Sequence, residues 1–325
     1  MKKITLWNQE EYHYEAACGF IPNMRLYLHE DEKIRPCILV VPGGGYAVVS
    51  PSEGEIVAKK FYEMGYQTAV VTYTTNLLMS IPLKKQPMQD LMRAIRYMRK
   101  YAGKMHIAEN QIMLCGFSAG AHACGSVAVH WQEFETSETA EYASVSARPD
   151  AVILSYPVIT SGEYAHRDSF TALLGHDPSS EELEYMSLEK QVTEFMPPCF
   201  LWQTATDELV PVQNSFLFAQ ALQKKNIPYA LHIFSKGPHG LSLADETWAD
   251  EKFGEPYTLE QTFAIMKAVE DDVIPVPAEV KKLILNQKAL FTGQIKSKKN
   301  HAWNEIMSWP QIASEWIRNF LEVRK

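Results

Sequence analysis

Residues 116–120, with the sequence GFSAG, place a serine between two glycines. An apolar run with strand character, 111–115, comes before them, and small and apolar residues that can pack as a buried helix, 121–130, come after. A serine at a sharp strand-to-helix turn projects its hydroxyl above the sheet, and flanking glycines let the backbone approach closely. Ser118 is therefore the candidate nucleophile of a hydrolase.

A free serine hydroxyl is a weak nucleophile, so it needs a base to take its proton and an acid to orient that base. In enzymes that carry this turn on an open α/β sheet, the chain order is serine, then Asp or Glu, then His. Asp207 follows a predicted strand, 199–203, and so lies at the carboxyl edge of the sheet, where such sheets place their sites. An aspartate there can also cap the next helix, and Glu208 is a neighbouring carboxylate. The chain order favours Asp207 as the acid.

The base should come from the loop after the next strand, which is predicted at 230–234. His239 lies in that loop between a proline and a glycine, where the backbone cannot continue regular structure, so the imidazole can reach Ser118. His232 lies inside the strand and is interpreted as a packed residue. His122 follows the serine on the predicted helix and is interpreted as a core histidine, with a place beside the site as the alternative.

The glycine run 43–45 directly follows a predicted strand, 37–41. Its N–H groups would face the oxyanion of a tetrahedral intermediate, together with the N–H of Ala119, the residue after the nucleophile. A phosphate-cradling loop is the alternative. Neither the GxxxxGK[ST] nor the GxGxxG pattern is present, however, so an oxyanion hole is favoured.

The elements that must position these residues are predicted as alternating strands and helices. Strands are predicted at 24–28, 37–41, 68–73, 111–115, 151–156, 199–203 and 230–234, and helices at 55–64, 88–101, 119–131, 213–224 and 312–323. Most strands are continuously apolar, as expected when helices cover both faces. The sequence therefore predicts the α/β class, a mostly parallel sheet with one or two antiparallel edge strands before Cys37.

The helix at 88–101 has an apolar stripe of Leu91, Ile95 and Met98. Its basic residues are predicted to face water; they are Arg93, Arg96, Arg99 and Lys100.

A long insertion at about 250–301 separates the last strand from the last helix. Helical pieces are predicted near 259–269 and 278–289, with a break at Pro275 and Pro277. An excursion of this length is usually functional or an interface element. It is expected to cap the pocket or to form a contact between subunits of a homo-oligomer.

The composition, 46 % hydrophobic and 22 % charged over 325 residues, is that of an ordinary globular protein. A net charge of −8 argues against nucleic-acid binding, and the basic stretch 296–299 is interpreted as a solvated loop. Charges close to Met1 come too early for the apolar region of a signal peptide, so none is expected. No apolar run approaches the length of a membrane span, and the five scattered cysteines are interpreted as reduced thiols. A cytoplasmic protein with no membrane partner is therefore expected. No metal site is expected either, because the sequence has no CxxC motif and no His/Cys cluster.

On these residues the sequence resembles the α/β-hydrolase superfamily and, more narrowly, bacterial acetyl esterases and lipases such as acetyl xylan esterase-like proteins. The resemblance covers about 24–243 and 309–321, and its carriers are the segments 42–46, 116–120, 154–158, 169–175, 197–201, 207–211 and 239–241. The site residues that it implies are the nucleophile, acid and base Ser118, Asp207 and His239 and the oxyanion donors Gly44, Gly45 and Ala119. Pro42 replaces the histidine that opens the HGGG pattern of many relatives. That histidine orders the loop, so activity is still expected.

The resemblance implies a single α/β-hydrolase domain over 1–325, with a core at about 24–245 and 303–325. It implies cleavage of carboxylic esters through a serine acyl-enzyme without metal or organic cofactor. Small-molecule esters with short acyl groups are favoured, acetyl above all, from acetylated sugars or xylo-oligosaccharides. Tyr46, Tyr156 and Tyr164 would line the pocket or pack as core aromatics.

Two other functions stay open at this point. The same triad serves amide bonds in arylformamidases and peptidases, although such a peptidase would carry a further large domain. A non-catalytic binding protein could also keep the fold, but the intact serine, histidine and aspartate argue against it.

Overall fold

One sheet of eight strands runs through the computed structural model, which describes residues 2–134, 139–292 and 301–322. The strands are β1 (Lys2–Thr5), β2 (Asn23–Tyr27), β3 (Arg35–Val41), β4 (Gln67–Thr72), β5 (Ile107–Phe117), β6 (Ala151–Ser155), β7 (Cys199–Thr204) and β8 (Tyr229–Phe234). Their spatial order is β1-β2-β4-β3-β5-β6-β7-β8. β2 pairs antiparallel with β1 and β4, and all pairings from β4 to β8 are parallel. The predicted parallel sheet with antiparallel edge strands is confirmed.

Helices cover both faces of this sheet. They are α1 (Glu55–Glu63), α2 (Gln86–Lys100), α3 (Ala119–His130), α4 (Arg167–Leu174), α5 (Ser180–Tyr185), α6 (Gln213–Lys224), α7 (Glu246–Ala249), α8 (Glu260–Glu270), α9 (Ala278–Phe291) and α10 (Trp309–Glu322). Alternate residues of β3 serve the two layers, because successive side chains of a strand point to opposite faces. Leu39 and Val41 join the core under α2, α3 and α6, whereas Ile38 and Val40 join the core under α1 and α10.

The prediction that the arginines of α2 face water is wrong. Arg93, Arg96 and Arg99 are only 3 %, 2 % and 9 % exposed. Residues 142–150 lie over this side of the helix, where Arg93 stacks at 4.7 Å on Tyr142 and Arg96 donates to a backbone carbonyl. The periodicity of a helix cannot show that a distant segment covers its polar side.

Replacing Arg99 with alanine is expected to lower the free energy of unfolding by about 3–5 kcal/mol, because it leaves a buried charge without its partner. Arg99 lies 2.8 Å from Asp150 and also donates to three backbone carbonyls. Lys100→Ala is the matched control. Lys100 is exposed and pairs with Glu141 at the surface, where solvent screens the ion pair, so a much smaller loss is expected. Urea denaturation measures both, and equal shifts would contradict the interpretation.

The insertion between β8 and α10 packs beside the loop that follows β4. Gln261 of α8 accepts a hydrogen bond from the Thr75 backbone at 2.8 Å, and Met266 and Val269 pack against Ile284 of α9. Residues 293–300, with the basic stretch predicted at 296–299, lie outside the described residues, as does the predicted end of the last helix at 323. A role of the insertion as cap or subunit contact stays a prediction. In the ranges that the structure describes, no helix is both long and apolar enough to cross a bilayer.

Candidate active site

Ser118 forms the turn between the end of β5 and the start of α3. Its backbone has φ +51° and ψ −118°, which a side-chain-bearing residue adopts only under strain. The turn brings other backbone atoms so close to the two flanking glycines that a side chain would not fit at either position. A Cβ at Gly116 would lie 2.6 Å from the Gly120 carbonyl oxygen, and one at Gly120 would lie 2.2 Å from the Val41 oxygen. The serine is thus held at the carboxyl edge of the sheet by backbone that admits no side chain on either side.

The structure brings Ser118, His239 and Asp207 together in one hydrogen-bonded chain. The Asp207 Oδ2 atom lies 2.7 Å from His239 Nδ1, and His239 Nε2 lies 2.8 Å from Ser118 Oγ. The other carboxylate oxygen of Asp207 accepts from the backbone N–H groups of Leu209 and Val210 at 3.0 and 2.9 Å. Because these two bonds fix the carboxylate, the tautomer with a proton on Nδ1 is favoured, and Nε2 is left to accept from the serine.

The loop that carries His239 is fastened to the neighbouring loop after β7. Thr204 Oγ1 donates to the Gly237 carbonyl at 2.7 Å, and the Gly237 N–H donates to Thr206 Oγ1 at 2.9 Å. The ring of Tyr156 packs edge-on against the imidazole, with 4.9 Å between ring centres. These contacts hold the imidazole between the carboxylate and the serine.

The glycine run after β3 lies against the nucleophile. A Cβ on Gly43 would lie 2.9 Å from the Ser118 Cβ, so only glycine fits there. The Gly43 N–H is already engaged by Glu53 at 2.7 Å. In the described part of the chain, the N–H groups of Gly44, Gly45 and Ala119 have no protein acceptor. They are free for a ligand oxygen, and these are the donors expected from the sequence.

Glu53 was not singled out from the sequence, although it touches both sides of the site. Its carboxylate is 4 % exposed and accepts hydrogen bonds from the Gly43 N–H at 2.7 Å and the Tyr156 hydroxyl at 2.6 Å. Burial raises the pKa of this carboxyl. The same tyrosine oxygen accepts from the Ser242 N–H at 3.0 Å, in the segment after His239. In the sequence, Glu53 stands just before α1, where an acidic residue is ordinarily interpreted as a favourable charge at a helix start.

His166 is a second residue that sequence reasoning passed over. Its Nδ1 lies 2.8 Å from Ser169 Oγ, and its Cε1 would lie 3.9 Å from a Cβ on Gly45, so the imidazole faces the oxyanion loop. Burial, and secondarily the nearby His239, lower the pKa of His166. Its position as the residue that caps α4 is the only signal that the sequence offers.

Tyr46 and Tyr156, the aromatics expected near the pocket, lie beneath the site and are 1 % and 2 % exposed. The Tyr46 hydroxyl lies 2.8 Å from His122 Nδ1, and His122 Nε2 lies 2.9 Å from the Met186 carbonyl oxygen. Burial lowers the pKa of His122 to about 4, so it is neutral, as interpreted for a core histidine. Tyr164 is half-buried. Contact of these tyrosines with a substrate stays a prediction.

The BD-FAE family model matches residues 24–222 of this chain, a span that contains the glycine loop, Ser118 and Asp207. The chain is 50 % identical over 265 residues to endo-1,4-beta-xylanase B of Butyrivibrio fibrisolvens, which covers 82 % of this chain and 42 % of that protein. It is also 27 % identical over 255 residues to the acetylxylan esterase of Xylanibacter ruminicola. That match covers 76 % of this chain and 47 % of that protein. The chain therefore spans less than half the length of these curated relatives.

A solved structure is also similar over nearly its whole length. It is the acetyl ester-xyloside bifunctional hydrolase of Caldicellulosiruptor lactoaceticus, with 35 % identity and a TM-score of 0.71, and the match covers 84 % of this chain and 97 % of that one.

Proposed function

The chain belongs to the BD-FAE family and has the α/β-hydrolase fold, and from this premise we propose that it is a serine esterase acting on acetyl and other short acyl esters. Its relatives are esterases and xylan-active hydrolases. The observation that carries the proposal is the chain of hydrogen bonds from Asp207 through His239 to Ser118, at 2.7 and 2.8 Å. This is the arrangement that activates a serine hydroxyl for acyl transfer.

In the first half-reaction, Ser118 Oγ attacks the ester carbonyl carbon while His239 Nε2 takes the hydroxyl proton. The carbonyl oxygen becomes an oxyanion. Collapse of this intermediate breaks the bond to the alcohol oxygen, which receives the same proton from His239 and leaves as the alcohol. The buried Asp207 stabilises the imidazolium between these two proton transfers.

The oxyanion is stabilised by N–H groups already held in place. Those of Gly44, Gly45 and Ala119 carry no other acceptor within the described residues, so they need no reorganisation when the negative charge develops. In the second half-reaction water attacks the acyl group of Ser118, again with His239 as base. The same N–H groups stabilise the second intermediate. Its collapse breaks the bond between the acyl carbon and Ser118 Oγ, which takes the proton back from His239, and the carboxylic acid leaves.

The proposed substrates are small acetylated sugars, in particular acetylated xylo-oligosaccharides. Support comes from the relatives, which are named for acetylxylan and for acetyl ester and xyloside hydrolysis. A reducing compartment such as the cytoplasm is proposed as the location, since all five cysteines are free thiols and four are buried.

Labelling with a fluorophosphonate tests the proposal, because the reagent phosphonylates only an activated serine. One adduct is expected on the peptide that contains Ser118, as identified by mass spectrometry. The variant Ser126→Ala, which removes a buried serine farther along α3, should label normally. An unlabelled wild-type protein would favour the non-catalytic binding function. Faster turnover of p-nitroacetanilide than of p-nitrophenyl acetate would favour the amidase alternative.

A further inference from the structure

A cleft of about 610 Å³ opens beside His239. Its walls come from the loop after β7, the loop after β8 and the segment just before α10, and they include Glu208, Leu209, Lys236, Pro238, His239 and Trp303. Of these, the residues after position 222 lie outside the region that the family model matches. The cleft is thus built largely from parts of the chain that the BD-FAE match does not cover.

The chemistry of the proposed reaction determines which part of the ester faces this cleft. His239 Nε2 must deliver its proton to the departing oxygen, so that oxygen lies within hydrogen-bond reach of the imidazole. The oxyanion donors lie on the glycine loop and at the start of α3, and these elements do not line the cleft. The alcohol portion, attached to the departing oxygen, is therefore the portion that can extend along the cleft.

The walls of the cleft combine the indole of Trp303 with the charged side chains of Glu208 and Lys236. The half-buried Trp303 packs against the core, and the ring of the exposed His301 lies 4.8 Å from the indole ring at an interplanar angle of 31°. A hydrogen bond to the Ala244 carbonyl at 2.8 Å fixes the Trp303 backbone. The side chains of Glu208 and Lys236 are exposed, and neither has an ion-pair or hydrogen-bond partner within the ranges that the structure describes. Leu209, 53 % exposed, extends the apolar surface.

These properties match a sugar ring better than the other alcohols of natural esters. A pyranose has a face of C–H groups, which an aromatic face attracts, and hydroxyls around its edge, which bind well to charged groups. A long alkyl chain would leave the carboxylate and the ammonium unused.

We propose that this cleft binds the pyranose ring of the alcohol part of the ester, with the indole of Trp303 as its apolar contact and Glu208 and Lys236 as partners of the ring hydroxyls. The inference rests on the proposed esterase function and assigns the site for its sugar. Since the backbone of Trp303 is fixed before the ligand arrives, little ordering is needed on binding.

The test compares Trp303→Ala with wild type on two acetate esters, singly acetylated xylotriose and methyl acetate. The expected result is a loss of about 10-fold in kcat/KM for the acetylated xylotriose, through KM. Methyl acetate, which has no ring, should react within twofold of the wild-type rate. Trp303→Phe should recover most of the activity on the sugar ester. Met307→Ala, at a residue 44 % exposed and outside the cleft, is the surface control.

Equal losses on both esters, or no loss on either, would overturn the proposal. Calorimetric titration with unacetylated xylotriose tests the cleft assignment separately from the esterase function, because binding of this sugar requires no catalysis. If the protein hydrolyses no ester but xylotriose binds wild type at least about 10-fold more tightly than Trp303→Ala, the esterase function fails and the cleft assignment stands. If esters are hydrolysed and xylotriose binds both proteins equally, the esterase function stands and the cleft assignment fails.

Discussion

Replacing Ser118 with alanine is expected to lower kcat for p-nitrophenyl acetate by about 10⁶-fold, the scale of loss when another serine hydrolase loses its nucleophile. The change removes the oxygen that lies 2.8 Å from His239 Nε2, and without it no acyl-enzyme can form. The fold should persist, because alanine occupies the same backbone turn with one atom fewer. Initial rates at saturating ester, with a thermal melt of both proteins, measure the effect.

Ser126→Ala is the matched control for this variant. Ser126 is buried on the same helix, and its hydroxyl donates to the His122 carbonyl at 2.8 Å, away from the triad. Its kcat should stay within a few-fold of wild type. A Ser118→Ala protein that keeps the wild-type rate while melting normally would show that the hydrogen-bonded triad is not the catalytic centre.

Asp207→Asn is expected to lower kcat by about 10⁴-fold near neutral pH. The two backbone N–H groups on Oδ1 require an acceptor there, at 3.0 and 2.9 Å, so the new amide nitrogen must face His239 Nδ1. The imidazole would then carry its proton on Nε2 and present a donor to Ser118 instead of an acceptor. KM should change little, because the carboxylate is buried behind the imidazole.

Kinetics with p-nitrophenyl acetate give kcat and KM separately for the aspartate variant. Asp177→Asn, at an exposed position, serves as the control for the chemical change and should retain full activity. A drop in kcat of less than tenfold for Asp207→Asn would mean that the tautomer of His239 does not depend on this carboxylate.

The triad could be predicted from the sequence because its signals are local. Each of its residues follows an apolar strand, and because β5, β7 and β8 run parallel, their carboxyl ends bring the serine, the aspartate and the histidine to the same edge of the sheet. The buried strands could also be predicted from local sequence. A short, continuously apolar run such as 38–41 is typical of a strand that helices cover on both faces. The strand ends were less predictable. β5 begins at Ile107, four residues before the predicted start.

Contacts between distant parts of the chain could not be predicted. Arg99 is buried because residues 142–150 lie over α2, and the sequence of α2 alone does not predict this contact. Glu53 is part of the site only because Gly43 and Tyr156 converge on it, and Tyr156 is 103 residues away. A charged residue such as Arg99 or Glu53 is ordinarily expected at the surface. Burial is possible here because the tertiary fold supplies hydrogen-bond partners from distant segments.

The carboxylate of Glu53 has a consequence for redesign of the substrate range. Because it binds the oxyanion loop through Gly43 and the histidine segment through Tyr156 and Ser242, mutations that enlarge this interior will displace the catalytic groups along with the wall. In the cleft at Trp303, the exposed side chains of Glu208, Leu209 and Lys236 form no hydrogen bond to the oxyanion loop or to the histidine segment within the described residues. Directed evolution should therefore alter the alcohol specificity through a few substitutions in that cleft, whereas substitutions around the Glu53 carboxylate are expected to lower kcat for every ester.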